Sequence, residues 1–218
     1  MTRHTLIALL LVSLLPTGAA AQVSFERLLR ADEEPENWLT YSGSYKSQRH
    51  SQLDQITPAN VTDLELRWVF QARSLEVFQA TPLVVDGIMY LVEPTNTVVA
   101  LDATLGRVFW TYEYTPSRAA RPCCGAVNRG LGILDNTLFL ATVDANLVAL
   151  DATSGKPLWK TNVGDPAAGY ALTLAPLVIK DKVVVGIAGG EYGIRGFIAA
   201  YDAQTGEEAW KFYTIPGP

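Results

Sequence analysis

Cysteine and histidine are nearly absent from this sequence, with two of each in 218 residues. Such a count excludes a disulfide-framework mini-protein and a multi-Cys/His zinc site. There is no surplus of positive charge: 17 Lys+Arg stand against 22 Asp+Glu, giving a net charge of −5. That balance, evenly spread, is no nucleic-acid footprint, and nucleic-acid partners are set aside. A long apolar run is missing too. The one candidate, Leu6 to Leu15, is short of the roughly 20 apolar residues that a transmembrane helix needs. What is present is a 49% hydrophobic, 18% charged chain with 17 Gly and 12 Pro, a composition able to bury a core.

The first residues read as an export signal, with Arg3 as the positive region, the Leu6–Leu15 run, and Ala19-Ala20-Ala21 as the cleavage site. Cleavage after Ala21 leaves a mature charge of 16 − 22 = −6. No Cys follows that could be acylated. The mature protein is therefore expected free in an oxidising exported compartment, without a membrane span.

An internal repeat organises the rest. Ala100–Trp110 (ALDATLGRVFW), Ala149–Trp159 (ALDATSGKPLW) and Ala200–Trp210 (AYDAQTGEEAW) line up, their tryptophans 49 and 51 residues apart. Each unit reads as an apolar strand, an Asp-led turn closed by Gly106, Gly155 or Gly206 in a positive-φ position, and a strand ending in Trp. Upstream of each lies a second hairpin, starting at Pro82, Gly132 and Pro176. Four short strands per unit of about 50 residues spell an all-β fold, a β-propeller of four-stranded antiparallel blades. A solenoid of β-hairpins is the alternative architecture. Residues 22–66 form an irregular N-terminal arm, with helices predicted over Phe25–Glu34 and from Thr57-Pro58, and residues 67–218 the partial propeller. Trp68 is expected to open a strand. Three blades do not close a propeller of four to eight, so a chain truncated at Pro218 is expected.

The chemistry is sought where the repeats break their own pattern. Pro82 to Asp102 spans 20 residues and Pro176 to Asp202 spans 26, so the third unit carries a six-residue insertion within Gly186–Gly196 (GIAGGEYGIRG). It shares one end of the blades with three blade-joining loops: Gln79–Thr81, Arg121–Gly130 (RPCCGAVNRG) and Ala171–Ala175. Insertions of this kind mark a binding face.

Cys123-Cys124 is the sharpest element. Adjacent Cα atoms lie about 3.8 Å apart, below the usual disulfide separation, so joining these sulfurs closes a strained eight-membered ring. The two pair with each other, pair between chains or stay free. The Gly-rich insertion fits neither G-x-G-x-x-G nor a phosphate loop. It offers close backbone approach at Gly189-Gly190 beside Glu191, a hard-cation ligand or a solvated turn carboxylate. Arg129 is placed to meet an anionic ligand or a neighbouring blade.

Together the Trp-ended repeats, Cys123-Cys124 followed by Asn128-Arg129-Gly130, Thr173-Leu-Ala-Pro176, and Gly189-Gly190-Glu191 before Gly193-Ile-Arg-Gly196 resemble the pyrroloquinoline-quinone (PQQ)-dependent alcohol dehydrogenases of the methanol and ethanol dehydrogenase type. The resemblance covers about Asn37 to the end and implies a periplasmic eight-bladed propeller. It implies a Cys123–Cys124 disulfide as platform for the quinone, Arg129 on a cofactor carboxylate, and Thr173 with the Ala188-Gly189-Gly190 backbone on its edge. Glu191 would be the ligand of a calcium or lanthanide ion. Oxidation of a primary alcohol and electron transfer to a cytochrome c follow by the same resemblance. Two departures stand out: Gln79 where the family often has Glu, and Ala188 where Ser is common. The family's catalytic Asp, Asn metal ligand and stacking Trp belong to later blades, so no catalytic residue is assigned in this chain and the Asp base is expected downstream of Pro218. A non-catalytic scaffold propeller of the outer-membrane assembly kind would explain the repeats but not the cysteines or the insertion.

Overall fold

The structure, a computed structural model, describes residues 23–217. The expected export signal lies outside them, and so do Pro218, beyond which the catalytic Asp is expected, and the truncation expected there. Twelve strands form three four-stranded antiparallel sheets, each in sequence order. The first comprises β1 (Leu83–Val85), β2 (Ile88–Val92), β3 (Val98–Asp102) and β4 (Val108–Tyr112). In the second are β5 (Leu131–Leu134), β6 (Thr137–Ala141), β7 (Asn146–Asp151) and β8 (Pro157–Asn162). The third holds β9 (Leu177–Ile179), β10 (Lys182–Gly186), β11 (Phe197–Asp202) and β12 (Glu208–Tyr213). Registers repeat as well. Each third-to-fourth-strand pairing shifts at the same place in the repeat, Ala100/Leu101, Ala149/Leu150 and Ala200/Tyr201. The predicted four-stranded, Trp-ended blades are the observed ones.

Stacking decides burial. The middle blade is covered on both faces, so Leu147 to Leu150 on β7 are fully buried, an apolar run without alternation, as a strand packed on both sides requires. On the outer blade Trp210 and Phe212 remain 47% and 66% exposed. Inner strands meet closely: a Cβ on Gly132 in β5 would stand 2.8 Å from the Pro176 carbonyl oxygen, just before β9.

Tryptophans tie the blades together. Trp68, Trp110 and Trp159 each donate the indole N–H, at 3.1 Å, to the carbonyls of Ala103, Ala152 and Ala203 in the following repeat. Trp68 thus takes the position of a blade-end tryptophan. The strand expected to open at Trp68 is not formed, because strands need a hydrogen-bonding neighbour and none of the described residues pairs with 64–72.

The N-terminal arm crosses the blades at the end of the β1–β2 and β5–β6 turns, through bridges of Val23 with Asp135 and Trp38 with Val84. Its predicted first helix is two pieces. Helix α1 (Phe25–Leu29), capped by Ser24, ends at Arg30, and a 3-10 turn takes Ala31–Glu33; Pro35 bars helical geometry at Glu34. The second predicted helix is only a 3-10 turn, Val61–Asp63. No helix among the described residues is long and apolar enough to cross a membrane.

Candidate functional site

At the opposite end of the blades, the loops between second and third strands and those joining blades converge. The β10–β11 connection, residues 187–196, is the insertion read from the sequence, and it carries a 3-10 turn at Gly190–Tyr192. Its shape depends on glycine. Gly189 has φ +126°, and a Cβ there would overlap the Gly169 carbonyl oxygen of the preceding blade-joining loop. Gly169, at φ +98°, lies under the ring of Tyr192, with no room for a Cβ. The insertion and the 163–176 loop are therefore fitted backbone to backbone, and the Ala171–Ala188 bridge locks them together.

These loops and residues 113–130 enclose a cleft of about 200 Å³ whose walls include Cys123, Cys124, Arg129, Thr173, Gly189 and Glu191. Ala188 is also in the wall. Six of the eight expected cofactor residues and the expected metal ligand thus share one cavity. Gln79 and Gly190 are outside its wall. Gln79 is exposed, two residues before Thr81, whose N–H donates to the Arg129 carbonyl at 3.1 Å.

Cys123 and Cys124 are bonded to each other. Glu191 Oε1 approaches Cys123 Sγ to 3.6 Å, a contact and not a hydrogen bond, since a disulfide sulfur has no proton to donate. One Nη of Arg129 donates to both the carbonyl and Oγ1 of Thr173, each at 3.0 Å. The rest of the guanidinium makes no hydrogen bond among the described residues, so a cation with free donors faces the cleft. Backbone donors are unequal. Ala188 N–H is already committed to the Ala171 carbonyl at 2.8 Å, whereas the amides of Gly189 and Gly190 have no partner among the described residues. Of the Ala188-Gly189-Gly190 run, only the two glycine amides remain free to donate.

The donors lining the cleft suit a planar anionic cofactor: a cation with free N–H groups, the free amide of Gly189 and a hydroxyl beside a disulfide. Toward a metal the cleft wall offers a single carboxylate, Glu191; no group of three His, Cys, Asp or Glu among the described residues could hold an ion. Glu191 fits as one member of a shared ligand set.

Residues 38–218 match the PQQ family model described as glucose/ethanol/alcohol dehydrogenase, beta-propeller domain. The chain belongs to this family. It is 41% identical over 200 residues to the quinohemoprotein alcohol dehydrogenase ADH-IIG of Pseudomonas putida, covering 90% of this chain and 28% of that protein. With the dehydrogenase subunit of the quinone-linked alcohol dehydrogenase of Acetobacter aceti it shares 43% identity over 88% of this chain and 27% of that one. A solved europium-containing methanol dehydrogenase superposes with a TM-score of 0.84 at 39% identity, over 88% of this chain and 34% of the other. The chain spans about a third or less of the length of these PQQ-family relatives.

Sequence reasoning missed Gly169, Tyr192, Tyr114 and Asp144. The first two fix the insertion, and the last two hold the cysteine-bearing loop. Asp144 is 3% exposed. Burial pushes its carboxyl up, but hydrogen bonds from Thr142, Ser117, Tyr114 and Asn146 take it below the ordinary carboxylate range. Tyr114 is pushed up to about 12, chiefly by burial.

Proposed function

We propose that this chain is the quinone-binding blade set of a PQQ-dependent dehydrogenase that oxidises a primary alcohol to the aldehyde, in the periplasm, with a cytochrome c as electron acceptor. One observation carries the reading: three loops from different repeats bring the disulfide, Arg129, Thr173, Gly189 with its free amide and Glu191 onto one cleft, in a chain of this family. Arg129 would hold a cofactor carboxylate through its free N–H groups, kept in place by its bonds to Thr173. Thr173 Oγ1 accepts from Arg129 and keeps its own proton to donate toward the cofactor edge. Gly189 and Gly190 would add their amides. Glu191 would coordinate calcium or a lanthanide, hard cations that take oxygen ligands. When bound, the quinone supplies the two-electron acceptor and the metal a Lewis acid. The base that takes the alcohol proton, expected to be an aspartate, is sought downstream of Pro218.

A scaffold propeller would need neither paired adjacent cysteines nor an insertion fitted by Gly169 and Gly189, and these observations favour the enzyme. The test is dye-linked alcohol oxidation by the intact protein, prepared free of cofactor and then given quinone and calcium or a lanthanide. Activity should require both additions, and Glu191→Ala should abolish it while leaving the melting temperature in place. Dye reduction without quinone, or wild-type turnover in the variant, would contradict the reading.

A further inference from the structure

Residues 113–130 carry Cys123, Cys124 and Arg129 from β4 to β5 with no regular structure, so something outside the loop must set its path. Before the cysteines that role falls to one carboxylate. Tyr114 Oη donates to Asp144 Oδ1 and Oδ2 at 2.9 and 3.0 Å, and the Ser117 N–H donates to Oδ2 at 2.9 Å. Thr142 Oγ1 donates to Oδ1 at 2.6 Å, and Asn146 Nδ2 bonds both the Asp144 carbonyl and Tyr114 Oη, at 3.1 and 3.2 Å. Asp144 occupies the short turn between β6 and β7, which is itself fixed from the first blade by Asn96 Oδ1, accepting from Val143 N–H at 3.0 Å. After the cysteines the loop is held by Thr95 N–H on the Ala126 carbonyl and by Asn128 Nδ2 on the Ala141 carbonyl. Asp144 is not in the cleft wall.

We infer that Asp144, acting through Tyr114 and Ser117, is a positioning residue: it sets the course of the 113–130 loop so that the Cys123–Cys124 pair and Arg129 face Thr173 and Glu191. The sheet does not need this carboxylate, since β6 and β7 pair from Thr137–Asp151 to Ala141–Leu147 without it. A buried carboxylate with three donors, two from the 113–130 loop and one from its own turn, is strong and directional, because hydrogen bonds to an ionised acceptor are about twice as strong as neutral ones. Losing it frees the start of the loop, not the blade. The consequence for cofactor affinity rests on the quinone reading above; the consequence for the disulfide does not.

The test compares Asp144→Asn and Tyr114→Phe in the intact protein with a control at the far end of the same blade. Asn136→Ala serves there, since Asn136 bonds Asp151 at 2.9 Å away from the cleft. Two quantities are read: the Kd for PQQ of quinone-free, calcium-loaded protein, and the rate at which a water-soluble phosphine reduces the disulfide in quinone-free protein. Asp144→Asn should raise both about tenfold, the size expected for one charge-assisted bond. Tyr114→Phe should raise both by less, and the control should change neither at a matched melting temperature. If both quantities stay at wild-type values, or follow melting temperature alike in all three variants, the inference is overturned. Should Asp144→Asn fail to fold, Tyr114→Phe, which removes one hydroxyl, decides by the same readouts. If wild-type protein binds no quinone, the cofactor reading fails, and the phosphine rate alone still supports or overturns the role of Asp144.

Discussion

Gly155 answers two demands at once. Its φ of +70° closes the Asp-led turn, and a Cβ there would sit 2.5 Å from Cε3 of Trp110 in the preceding blade. Gly106 under Trp68 and Gly206 under Trp159 repeat the arrangement, each at 2.6 Å. Gly155→Ala should therefore cost about 2–5 kcal/mol, the sum of a left-handed backbone penalty and overpacking. Gly87→Ala, at φ +81° with open space around it, should cost about 1–2 kcal/mol from backbone alone. Denaturant unfolding of the intact protein measures both, and equal losses would show that the tryptophan contact adds nothing. The sequence made the turn glycine legible, since a positive φ is a local demand. It could not reveal the ring above it, because that ring arrives from the repeat before.

At the scale of elements, the arm is held to the first blade by charge. Arg27 reaches Glu34 at 2.7 Å and Asp86 at 2.6 Å, while Asn37 Oδ1 accepts from the Asp86 N–H at 2.8 Å. Hydrogen bonds from Arg27 hold both carboxyls below their ordinary range, against the opposing effect of burial. A depressed carboxylate contributes stability above its unfolded pKa, about 4, and loses it as pH falls through the folded value. The arm should accordingly stay protected from amide exchange at neutral pH and open below about pH 4, with Trp38, bridged to Val84, as its fluorescent reporter. Arg27→Ala should open the arm already at pH 7. Protection of residues 23–40 unchanged from pH 7 to pH 3 would contradict this. The arm was also where sequence patterns misled. Phe25–Glu34 reads as helical, yet contacts with the β1–β2 turn draw Arg27 and Glu34 together across a broken helix.

Across the whole molecule, the repeats carried most of the fold, because a blade is a local hairpin pair copied along the chain. Much of the cleft was legible for the same reason: irregular loops attached to regular blades can only meet at the ends of the strands, and Cys123-Cys124, Arg129, Thr173 and Glu191 all lay on loops at one end. Trp68 was legible only as the opening of a strand, not as an unpaired residue in the place of a blade-end tryptophan. What fixes the loops to one another, Gly169 against Gly189 and Asp144 against Tyr114 and Ser117, joins segments distant in sequence through backbone shape and side-chain reach. No spacing announces it. If this cleft is half of a quinone site completed elsewhere in the intact protein, a crystal structure of that protein reconstituted with PQQ and calcium will show it most directly. The quinone should lie flat against the Cys123–Cys124 bond with a carboxylate on Arg129, and a Glu191 oxygen should stand about 2.3–2.6 Å from the ion. A quinone bound away from this cleft, or an ion that Glu191 does not touch, would contradict the account.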